Sequence, residues 1–124
     1  MGDDFDHASR ALRSLLAPVV DRVVARHRGA APPLDEPRAA RAVWFTLHDG
    51  HGAPLVLVSA HAESVSFLLG RRGFLHLRQV ASTTPERLVA WFEEVLDAAL
   101  SGGLVVHSDG TATLRTRGGP IALG

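Results

Sequence analysis

Cysteine, lysine, tyrosine and asparagine are absent from this chain of 124 residues, and methionine and isoleucine occur once each. Without cysteine there are no disulfides, no thiolate nucleophile and no thiolate-held metal. Without lysine, all 13 basic side chains are arginine, and they match 13 acidic ones for a net charge of zero. A balanced charge creates no general field for a polyanion or an acidic membrane leaflet, so no nucleic-acid or membrane partner is expected. The bias toward Ala, Val, Leu, Gly and Arg is that of a GC-rich bacterial coding sequence.

Long hydrophobic runs are missing too. No apolar stretch reaches the roughly 18 to 20 residues that span a bilayer. The opening Met1-Gly-Asp-Asp-Phe-Asp6 places acids where a secretory signal carries positive charge. A cytoplasmic protein is the expectation. There is also no phosphate-binding glycine loop, and no serine stands in a strand-turn-helix nucleophile context.

What is present describes one folded domain. The apolar fraction of 46% and charged fraction of 21% are those of a globular protein, and the length suits a single core. Over residues 7–28, Leu12, Leu15, Leu16, Val19, Val20, Val23 and Val24 recur at three- and four-residue spacing, the signature of an amphipathic helix. Pro18 removes a backbone donor inside it, so a kink or break is expected there, and Gly29 suits a C-terminal cap. Residues 29–40 are proline-rich and aperiodic, an extended connector.

Residues 41–80 read as a four-strand meander. Val43, Phe45 and Leu47 alternate with Trp44, Thr46 and His48; Leu55–Val58, Val65–Leu69 and Phe74–Arg78 follow, separated by glycine-bearing turns. Thr83-Thr-Pro-Glu86 then starts a helix over 83–101, with Thr83 or Thr84 as cap, Pro85 in the first turn and Glu86 as a capping-box partner. Its apolar positions Leu88, Trp91, Phe92, Val95, Leu96, Ala99 and Leu100 lie on one face. A hairpin over 103–116 turns at Asp109-Gly110, and 117–124 reads as a tail, frayed or held only by packing. The order α-β-β-β-β-α-β-β implies an α+β protein, a two-layer sandwich with one antiparallel sheet of about six strands and two main helices on one face.

Chemistry is less legible than fold. The seven histidines are scattered, and His48 and His51 lie across a turn with no third ligand near, so no metal and no cofactor are expected. Glu93, Glu94 and Asp97 fall on the outer side of the second helix, where carboxylates are ordinarily solvated, and no catalytic residue is assigned. If the sheet has one open face, Trp44, Thr46, His48, His76, Arg78, His107 and Arg115 project from it, a surface with an aromatic anchor beside cations. Arg71 and Arg72, on the turn Gly70–Gly73, are a second and weaker candidate, for an anion.

In element order from Ala8 to Arg115, the chain resembles the type III secretion chaperone-like group of small bacterial α+β proteins, although the terminal helix common in that group is missing. That resemblance implies a non-enzymatic module that dimerises and holds a partner polypeptide. The leading expectation is a protein-binding module, chaperone-like or immunity-type, whose partner is another protein or a second copy. The alternative is a small enzyme or ligand-binding domain using His76, His107 and Arg115. Protein purified without a histidine tag and dialysed should carry no stoichiometric zinc by elemental analysis; retained zinc would overturn the reading of the histidines.

Overall fold

The computed structural model describes residues 2–27, 45–48, 54–60, 63–70 and 72–123, with the side chains of 2–6, 45–48 and 54–55 outside the description. Helix α1 (Gly2–Arg26) leads into β1 (Phe45–His48), β2 (Pro54–Ala60), β3 (Ser64–Leu69) and β4 (Phe74–Gln79). A single 3-10 turn, Val80–Ser82, precedes α2 (Pro85–Leu100), and β5 (Leu104–Val106), β6 (Ala112–Thr116) and β7 (Gly119–Leu123) complete the chain. The fold is α+β with antiparallel sheets.

The strands do not form one six-stranded sheet. They make a four-stranded sheet, β1-β2-β3-β4, and a three-stranded sheet, β5-β6-β7. The reason lies in α2. Its buried residues Leu88, Trp91, Phe92, Val95, Leu96, Ala98 and Ala99 span an arc of about 160° at 100° per residue. That is too wide for one surface to cover. Helix α2 packs against α1, against β2 of the larger sheet and against β6 of the smaller one. Ala112 and Leu114 of β6 and Leu123 of β7 join the same core as Val56, Val58, Val65, Phe67 and Leu69 from the larger sheet.

Helix α1 contributes Leu12, Leu16, Val19, Val20 and Val23 to that core. It begins earlier than its apolar periodicity indicates and continues through Pro18 without a break. Pro18 is exposed, as is Ser14, whose carbonyl loses its helical donor to the proline; water can take that donor's place. The proposed connector at 29–40 and the cap at Gly29 lie outside the described residues.

At the start of α2, Thr84 is the cap, and its hydroxyl accepts from the Arg87 backbone N–H at 3.3 Å. Pro85 takes the first helical position, which puts Arg87 where a capping box requires Glu or Gln, so Glu86 does not close one. The far end is a Schellman closure. Gly102 has φ of +78°, and the Gly103 N–H reaches back to the Ala98 carbonyl at 2.8 Å. A Cβ on Gly103 would stand 2.6 Å from the Arg115 carbonyl oxygen and 2.8 Å from that of Ala98. Glycine is what lets β6 close against the helix end.

The 103–116 hairpin closes through three residues, 108–110, not two: Gly110 has φ of +90°, and the Gly110 N–H bonds the His107 carbonyl at 3.1 Å. The segment read as a tail is strand β7, paired with β6 from Thr116↔Gly119 to Ala112↔Leu123. Pro120 is tolerated because β7 is bonded to β6 alone, leaving its other edge without a ladder.

Phe92 is fully enclosed, and Phe67 meets both it and Trp91, at ring-centroid separations of 5.2 and 5.4 Å. Phe92→Ala should therefore cost about 3 to 5 kcal/mol in urea unfolding. A near-wild-type midpoint would show that α2 is not the centre of the core.

Candidate functional site

The two faces of the four-stranded sheet carry opposite kinds of residue from those expected. In β3, Val65, Phe67 and Leu69 face the helices. Cross-strand register pairs them with Arg78, His76 and Phe74 of β4. His76 and Arg78 are therefore on the helix side of the sheet, not on the open side. The Trp91 indole N–H donates to His76 Nε2 at 3.1 Å, and the Arg78 guanidinium lies 5.3 Å from the Trp91 ring centroid, a cation–π distance.

Partial burial, and then the nearby Arg78 charge, push the His76 pKa below its ordinary 6.5. Because Nε2 accepts the indole proton, the neutral ring carries its own proton on Nδ1. The lone pair a general base would use is already engaged. This cluster closes the end of the core beside an edge strand.

The remaining expected site residues are not brought to it. His107 lies on the β5–β6 turn, where its Nε2 is 2.8 Å from the Thr113 hydroxyl. Arg115 is exposed on β6, in the smaller sheet. Arg72 is exposed on the β3–β4 turn. Trp44 and Arg71 lie outside the described residues, and of His48 only the backbone, in β1, is described. The shared polar face of His76, Arg78, His107 and Arg115 does not form.

Glu93, Glu94 and Asp97 of α2 are half-buried, and each meets another element. Arg22 and Arg26 of α1 both bond Glu93, Arg26 at 3.0 Å, and the Arg22 contact first and then Arg26 hold the Glu93 carboxyl below its usual range. His27 Nε2 lies 2.7 Å from Asp97 Oδ1. Glu94 Oε1 accepts from the Thr116 hydroxyl and the Gly118 backbone N–H, each at 2.6 Å. These carboxylates line a groove of about 790 Å³ between α2, the end of α1 and the β6–β7 turn, yet each is engaged in joining those elements. Among the described residues, no group of three His, Asp or Glu side chains has the arrangement to hold a metal ion.

The open face of the larger sheet is where the structure departs most from its sequence reading. Leu57, Leu68 and Leu75 form one cross-strand row. Ser59, itself buried, Ser66 and Leu77 form the next, and Ser64 pairs with Gln79 beyond them. Leu75 is 55% exposed, Leu77 43% and Leu68 36%. No described position on this face is charged. The available sequence signal was register: the turn from Gly70 to Gly73 pairs Leu69 with Phe74, which sends Leu75 and Leu77 outward.

Comparison with protein-family models, curated proteins and solved structures finds no match to the chain. Among the described residues, no helix is long and apolar enough to cross a membrane.

The His76–Trp91 bond carries a pH signature. The folded protein binds a proton at His76 less readily than the unfolded chain does, so this contribution to stability is fully present above pH 6.5 and declines as pH falls below it. His76→Gln keeps an acceptor for the indole but cannot titrate. Its urea midpoint should fall less than that of the wild type between pH 7.5 and 5; parallel losses would dismiss His76 as the source.

Proposed function

We propose that the protein is a non-catalytic binding module that holds a partner polypeptide on the open face of its four-stranded sheet, in the manner of a chaperone or an inhibitor of one partner. The observation that supports this reading is the uncharged, leucine-bearing character of that face. A solvated antiparallel sheet normally carries polar and charged side chains outward. Here three leucines lie at least one-third exposed and adjacent across strands, and contiguous apolar surface of that kind marks contact sites.

The alternative, a ligand or catalytic site built from His76, His107 and Arg115, has less support. Those residues stand on different elements and different faces, and His76 is committed to Trp91. A reaction needs polar groups converging on one concave site.

The test is capture of partners from the native host, read by mass spectrometry. A protein retained by the wild type and by His107→Ala should be lost at least 10-fold on Leu75→Arg, since an exposed apolar anchor at a contact centre contributes more than about 1 kcal/mol. Equal melting temperatures of the three proteins exclude loss through unfolding. Capture that survives Leu75→Arg but fails with His107→Ala would reverse the two readings.

A further inference from the structure

We propose that His76, Trp91 and Arg78 form an acid-released latch on the edge strand β4, tying it to α2 at neutral pH and freeing it when His76 takes up a proton, while the rest of the core stays folded. What the latch does to a bound polypeptide rests on reading the open face as a binding surface. Two neighbouring strands are held in different ways. The inward residues of β3, Val65, Phe67 and Leu69, are apolar and fully buried. Those of β4, Phe74, His76 and Arg78, are only half-buried, and two of the three are polar. Strand β4 also has a ladder on one side only. Apolar burial does not respond to pH, but the attachment of β4 does.

The bond from the Trp91 indole N–H to His76 Nε2 needs the lone pair on that nitrogen. Protonation fills it, and two N–H groups then face each other. The indole does not offset the new charge, because Nε2 meets the ring at its N–H edge, where the quadrupole is positive, and Arg78 already lies over the ring. The surrounding elements offer no compensation either. Arg78 is the charge that acts on the imidazole, and it opposes a second cation. Strand β3, and β7, which also touches β4, contain no titratable residue. On α2, Arg87 is exposed one turn before Trp91, and Glu94, almost one turn after it, is bonded to Thr116 and Gly118. Glu63, just before β3, is exposed.

Leu75 and Leu77 flank His76 along β4 and point to the open face, beside Leu68 and Ser66 of β3. When the latch opens, β4 is the unit that detaches, since β2 and β3 keep their apolar burial. Leu75 and Leu77 then leave the face together. A polypeptide resting on them loses those anchors, and by linkage its binding to the intact face disfavours protonation of His76. Acidification below pH 6.5, the ordinary value for the imidazole, is therefore a release signal.

Residue-resolved hydrogen exchange of the full chain, corrected for the intrinsic pH dependence of exchange, tests the latch with no partner present. Between pH 7.5 and 5.0 the protection of the β4 amides should fall at least about 3-fold relative to those of β2 and β3, with the midpoint at which the His76 ring titrates by NMR. In His76→Gln, which keeps an acceptor and does not titrate, the relative protection of β4 should stay constant. Protection of β4 that ignores pH, that falls equally in His76→Gln, or that falls only together with the whole core overturns the latch. A polypeptide captured at pH 7.5 should leave the wild type at pH 5.0 and stay on His76→Gln; retention by both overturns the control of binding. Capture that ignores Leu75→Arg defeats the binding-surface reading alone, and the exchange result still decides the latch.

Discussion

Helix α2 is the element on which α1, the larger sheet and the smaller sheet all meet. Its buried arc is wide enough to demand cover from α1, from β2 and from β6 together. A helix with a narrow stripe would have been satisfied by one sheet, leaving the last three strands free to extend it. With this arc they close over the helix's remaining side as a second sheet. The Schellman turn at Gly102–Gly103 makes that return immediate, since β5 begins at Leu104, directly after it.

The polar side of the same helix continues this role. Glu93 is bridged to α1 by two arginines, Asp97 faces His27, and Glu94 takes the backbone N–H and hydroxyl of the β6–β7 turn. The Arg–Glu93 pairs lie toward solvent, where screening keeps each worth little. The Glu94 bonds do more for topology. They hold the Arg117–Gly118 turn against the helix, and a Cβ on Gly118 would come within 2.5 Å of Glu94 Oε1. A groove bordered by such groups is the seam between packed elements.

The open sheet face stands apart from this economy of paired charge. The outward sides of α1 and α2 mix arginines with acids, while the described positions of this face are leucine, serine and glutamine. The exposure of those leucines is why we propose the binding surface there and not on the histidines. The His76–Trp91–Arg78 group marks the opposite case, polar chemistry turned inward to finish the end of a core at an edge strand.

Local patterns made the elements readable. The apolar spacing of Leu12 to Val23 and Leu88 to Ala99 has helical period, Thr84-Pro85 announces a helix start, and the glycines at 70, 73, 102 and 110 take the left-handed conformations that turns need. These are properties of residues a few positions apart, so the sequence by itself determined the α+β class, the helices and the first six strands. Strand β7 was hidden because Gly119-Pro120 reads as a terminator, and only the Glu94-held turn and pairing with β6 make it a strand. The face of β4 was hidden because Phe-Leu-His-Leu-Arg alternates equally well in either sense. Register across Gly70–Gly73 chooses Phe74, His76 and Arg78 for the inside, and a one-residue difference exchanges the two faces completely. The partition into two sheets and the identity of the open surface were decided by tertiary structure alone, because both depend on which distant groups cover α2.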